Sequence, residues 1–191
     1  MLVDHRYGIA RICPASTLYL GARRWAQMYS GRGPCDVIDV AADPSAITLM
    51  QIFGVLRVGA QVHLHRSQRG PVASSPGGLS FAEGSALSRE HVAYHLARPQ
   101  ESARRWWSLS DWTTAGAWDR DLLPALARGA ELHINLHHAD RQTIEEDDSW
   151  PDVIGSVGGS KDILSAVGEL PTRWISASAL SPPGAIPVSI R

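Results

Sequence analysis

The sequence predicts an α/β fold, a mostly parallel sheet with helices on both faces. Two observations lead there. Short apolar or β-branched runs alternate with helix-length segments along the whole 191 residues, which is the pattern of βαβ units and not of a helical bundle or a sandwich. The hydrophobic content of 44% supports one substantial core, so 1–191 is expected to form a single domain.

The elements follow in order. Ser16 or Thr17 can cap a helix over 16–29, with Leu18, Trp25, Met28 and Tyr29 at helical spacing and Gly31 and Gly33 as stops. A strand over 35–40 precedes Asp43-Pro44, which opens a helix to Arg57 whose apolar residues cover most of its circumference. That helix should be largely buried. Residues 61–65 form a strand, 66–84 a long irregular loop rich in Ser, Pro and Gly, and 88–96 a helix capped by Ser88. A strand over 106–109, a helix over 112–126 closed by Gly129 and a strand over 131–136 repeat the unit. An acidic connection over 139–150, a strand over 153–156, a short helix over 160–167 and a strand over 173–176 complete the chain.

Charge and composition narrow the partners. A net charge of −1 and a pI near 6.7 provide no field for nucleic acid or an anionic membrane, and neither is expected. Lys161 is the only lysine, so few catalytic amines are on offer. Cys13 and Cys35 have neither metal-ligand spacing nor the look of a disulfide framework. With no signal-peptide pattern at the start and no apolar run near the roughly 20 residues of a membrane span, a cytoplasmic protein is expected.

In sheets of this kind the ligand crevice lies beyond the carboxyl ends of the strands. The long loop holds Ser74, Ser75, Gly77, Gly78, Ser80, Glu83 and Gly84. Small residues of this sort cradle phosphate, yet Glu83 puts an acid where such loops need a base.

Several segments together resemble the amino-terminal part of the adenylate-forming superfamily, which includes acyl-CoA synthetases and the adenylation domains of peptide synthetases. Gly54-Val55-Leu56-Arg57-Val58-Gly59-Ala60 is similar to the family's "GVLRAGA" helix end, and Leu87-Ser88-Arg89-Glu90-His91 to its "LSHRN". Leu122-Leu123-Pro124-Ala125-Leu126 through Gly129-Ala130 is similar to "LLPaL..Ga", and Trp174-Ile175-Ser176 through Pro182-Pro183 to "wvisGgApLpp". The resemblance implies that Ser74, Ser75, Gly77, Gly78, Ser80, Glu83 and Gly84 are the remains of the "TSGTTGxPKG" phosphate loop. Against that motif, Gly77 and Gly84 survive, while Pro76 replaces a Ser or Thr, Ser80 a Gly and Glu83 the Lys. Reversing that charge beside a triphosphate costs at least ~1 kcal/mol with water-like screening and several in a dry cleft. The resemblance therefore implies a chain that does not bind ATP in the family's way and has no cofactor. It also implies a truncated relative, lacking the later nucleotide motifs and the carboxy-terminal domain.

Other constellations compete. His65, Asp111 and Ser75 can be drawn as a base, an orienting acid and a nucleophile, though no Gly-x-Ser-x-Gly elbow accompanies them. His65, His137 and Asp140 could meet around a divalent ion, but no metal is predicted. Trp106, Trp107, Trp112 and Trp118 can floor an apolar pocket, form an interface or fill the core. Glu145 to Asp148 is read as a solvated loop. The expected function is that of a binding or scaffold protein for a small acyl or aminoacyl ligand, working as a homo-oligomer or with a partner protein in secondary metabolism. The alternatives are an enzyme that reuses the acyl crevice on an acyl or CoA-linked substrate, and one half of a split ligase.

Overall fold

The computed structural model describes residues 1–6, 9–66, 70–97, 105–136 and 151–156, together with the backbone of the strand at 173–176. The described strands divide between two sheets, and the chain between two units. The α/β class with mostly parallel pairing is as the sequence predicts. Its division into a six-stranded and a four-stranded sheet is not visible in the linear pattern.

The unit of 13–98 and 112–115 contains the four-stranded sheet. In it α1 (Ala15–Met28) leads to β3 (Val37–Ala41), α2 (Ala46–Arg57) and β4 (Gln61–His65). Leu18, Ala22, Trp25, Ala26 and Tyr29 form the covered face of α1, at the spacing expected, but Met28 lies 71% exposed on the other side. Helix contact is close because the facing residues are small: a Cβ on Gly54 of α2 would collide with Trp25 and with the backbone of Ala22 and Ala26. Ser45, and not Asp43, caps α2, its hydroxyl accepting the Thr48 amide at 3.1 Å. Thr48, Leu49, Ile52 and Val55 are buried, as expected of this helix.

β3 and β4 pair in parallel, the crossover being α2, and β4 pairs in parallel with β5 (Leu79–Phe81). β5 corrects the expected loop over 66–84, since its three residues are fully buried and part of the sheet. β6 (Ala86–Leu87) returns antiparallel to β5, and α3 (Arg89–Ala97) follows, its His91 amide donating to Ser88 Oγ at 3.1 Å.

The unit of 1–12, 99–111 and 116–191 contains the six-stranded sheet. Its strand order is β10-β9-β7-β8-β1-β2, from β1 (Leu2–Asp4), β2 (Arg11–Cys13), β7 (Arg105–Ser108), β8 (Glu131–Ile134), β9 (Val153–Ser156) and β10 (Arg173–Ser176). β1, absent from the sequence expectation, pairs in parallel with β8, Leu2 opposite Leu132. Between β7 and β8 the expected helix is three pieces: α4 (Ala115–Ala117), a π turn over Trp118–Leu122 and α5 (Leu123–Ala127). Pro124 explains the break. It has no amide to give Arg120, so the chain widens and the Leu123 amide bonds back to Trp118 O. The expected helix over 160–167, the acidic run at 145–148, His137 and Asp140 lie outside the described residues.

Candidate functional site

The Ser- and Gly-rich stretch is built from two tight turns around one short strand. Ser75 O accepts the Gly78 amide at 2.9 Å, with Pro76 and Gly77 between them and Gly77 at φ +66°. Proline second and a left-handed glycine third is the pattern of a type II turn. A Cβ on Gly78 would strike the Leu87 carbonyl and the Ser75 hydroxyl, so this glycine is required by packing. After β5, the Gly84 amide donates to Phe81 O at 2.8 Å and the Phe81 amide to Ser85 O at 3.0 Å, with Gly84 at φ +87°. Three loop residues ending in a left-handed glycine make a hairpin with a bulge.

These bonds decide which amides are available. Ser75 N donates to Gln61 Oε1 at 2.8 Å and Ala82 N to Leu64 O at 3.0 Å. Those two, with Gly78, Phe81 and Gly84, spend five amides of the stretch on protein acceptors. Glu83, at the exposed hairpin tip, accepts from Ser85 Oγ at 2.5 Å and from the Ala115 amide at 3.0 Å, all within one unit. Ser74 is exposed, while Ser75, Gly77, Gly78 and Ser80 are buried.

Beneath the turns lies a buried polar network centred on Gln61, which the sequence did not single out. Gln61 Nε2 donates to Ala73 O at 2.6 Å and to Ser80 Oγ at 2.8 Å, while its Oε1 takes the Ser75 amide. The carboxamide is thereby satisfied at three points, as a side chain 4% exposed requires. Ser80 Oγ also stands 3.1 Å from His63 Nδ1, with both side chains fully buried. A serine and an imidazole do meet here, but out of reach of any substrate. Gln61 opens β4, which is paired on both edges, and nothing in the sequence signals this because β5 reads as loop.

The three residues drawn as nucleophile, base and acid are placed differently. The Ser75 hydroxyl gives its single proton to Leu87 O at 2.9 Å, so it is not shared with an imidazole. His65 ends β4, half-buried, its Nδ1 buried with no hydrogen-bond partner among the described residues. Asp111, half-buried, belongs to the other unit. Trp106, Trp107, Trp112 and Trp118 are at most 5% exposed and fill the core of their own units.

In the six-stranded unit the π turn aims Asp121 inward. Its carboxylate accepts from Trp106 Nε1 and from Ser108 Oγ, each at 2.5 Å, and Ser110 bonds to it as well. A Cβ on Gly155 of β9 would run into this carboxylate. Burial pushes the Asp121 carboxyl up to about 6, against the three hydrogen bonds that hold it down. With no exposed surface it is a fixed point of the fold. The sequence carried its signal too, since Asp121 shares the buried face of Trp118, Leu122 and Ala125.

No family model matches the sequence, and no curated protein matches it. Solved structures do. The chain is similar to the N-terminal subdomain of Klebsiella oxytoca NpsA at a TM-score of 0.61 and 13% identity, over 88% of this chain and 66% of that one. It is similar to NpsA in complex with 3-hydroxyanthranilyl-AMSN at 0.58 and 14%, over 92% of this chain and 53% of that one. A third likeness is to NpsA-ThdA, an artificially fused Adenylation-PCP di-domain from Klebsiella oxytoca, at 0.57 and 13%, over 87% of this chain and 48% of that one. The chain thus spans about two thirds or less of each. The expected resemblance is met at the level of architecture: the chain has the fold of the N-terminal subdomain of adenylate-forming enzymes.

Proposed function

We propose that this chain is a non-adenylating relative of the adenylate-forming enzymes, which holds a small acyl or aminoacyl ligand and takes no nucleotide. One observation carries the reading. Five backbone amides of the stretch that would cradle phosphate donate to protein acceptors, and Glu83 places a carboxylate at the hairpin tip. An anion site needs free N–H groups and a favourable field; five of the amides are already bonded, and Glu83 opposes the field. NpsA is known in complex with a 3-hydroxyanthranilyl compound, so an aromatic acid is the ligand class to try first. The reading includes a second copy or a partner protein as the working assembly.

Calorimetry on the whole chain tests it, with magnesium ATP in one titration and 3-hydroxyanthranilate in another. No heat from ATP and saturable heat from the acid are expected. Saturable ATP binding, or exchange of pyrophosphate into ATP, would overturn the proposal.

A further inference from the structure

α3 carries His91 and His95 one turn apart. Residues at i and i+4 lie on one face of a helix, and the two rings stand with centroids 4.9 Å apart at 56° to one another. Each offers a ring nitrogen within 4.8 Å of the other's. Two imidazole nitrogens bound at about 2.0–2.1 Å to one ion stand roughly 3.0–3.4 Å apart. Both rings are half-buried, and a chelate requires them to turn about their own side-chain torsions to reach that spacing.

The local structure favours a chelate. The turn holding His91 is fixed by the Ser88 cap. α3 has nine residues and buries one side chain, Val92. A helix so short and so lightly packed gains from a cross-link between consecutive turns. Imidazole pairs select borderline transition ions over magnesium and calcium, which demand oxygen ligands.

We propose that His91 and His95 together chelate one divalent ion of the zinc, nickel and copper class, and that the bound ion staples α3. The proposal is independent of the fate of the phosphate loop. It uses the whole chain with Cys13→Ser and Cys35→Ser, which removes the two free thiols as competing ligands. Titration with zinc chloride in calorimetry is expected to show one ion per chain, undiminished by excess magnesium. His91→Asn and His95→Asn are each expected to weaken binding about tenfold or more, since even an outer hydrogen-bond partner of a metal ligand is worth about 10–100-fold. Zinc should also raise the thermal midpoint of the parent and not that of the double variant. A flat titration of the parent, or unchanged zinc affinity in the double variant, overturns the proposal. If a variant misfolds, the imidazole nitrogen resonances of the parent decide: zinc must shift those of His91 and His95 first.

Discussion

Glu83 stands where the resemblance puts a lysine, and its surroundings give it a different task. Its Oε1 takes the Ala115 amide, one of the unbonded donors at the start of α4, and the Ser85 hydroxyl of its own hairpin. Glu83→Lys removes both bonds and sets a cation beside the first turn of a helix. A loss of about 1 kcal/mol is expected at this exposed site, read from the denaturant midpoint. ATP binding is not expected to return, because five backbone amides of the stretch stay bonded to protein acceptors; ATP heat from this variant would show that charge alone closed the site. Asp121 is the second residue with a measurable signature. Its folded carboxyl titrates at about 6 and its unfolded one near 3.8. Between those values the folded chain binds the extra proton, so the contribution of Asp121 to stability is greatest below about pH 4 and falls as pH rises towards 6. The difference is worth about 3 kcal/mol. Asp121→Asn, which cannot titrate, is expected to flatten unfolding free energy against pH over that window. A profile identical to that of the parent would show that another group causes the slope.

The elements that the pattern missed are short. β5 is three residues between Gly78 and the hairpin, too brief for a period of two to show, so a Ser-, Pro- and Gly-rich stretch read as loop. Longer elements were legible. The covered face of α1, the strand β4 and the start of α3 at Ser88 all fall within a residue or two of expectation, because spacing and caps are local properties. The π turn was not legible, although Pro124 was in plain view, because the pattern of buried positions continues through it. The turns around β5 allow a ranking. Gly84→Ala meets only Pro71 Cγ at 3.5 Å, so its cost is the left-handed φ, about 1–2 kcal/mol. Gly77→Ala carries the same backbone cost and also presses on Gly59 O at 3.2 Å, a backbone atom that cannot swing away. Urea midpoints should therefore fall further for Gly77→Ala than for Gly84→Ala. The reverse order would mean that the type II turn relaxes.

At the scale of the molecule, the chain begins in one sheet, leaves it and returns. β1 is hydrogen-bonded to β8 across more than a hundred residues, the Leu132 amide donating to Met1 O at 2.8 Å and the His5 amide to Ile134 O at 3.1 Å. The sequence pattern reads neighbours along the chain, and this pairing has no local signal, so the alternation of strands and helices was right while the partition into two sheets stayed hidden. Each unit has its own buried residues: Leu2, Trp106, Trp118, Leu132 and Ile154 in one, Leu49, Ile52, Leu64, Leu79 and Phe81 in the other. Leu2 is 1% exposed, so Leu2→Ala is expected to cost about 2–5 kcal/mol, the range for a large apolar side chain deleted from a packed core. Because the lost contacts belong to one sheet, the loss should be local. Hydrogen exchange followed by mass spectrometry is expected to speed up in peptides covering β7 and β8 while those covering β4 and β5 keep their protection. Equal acceleration in both sets would show that the two units unfold as one cooperative body.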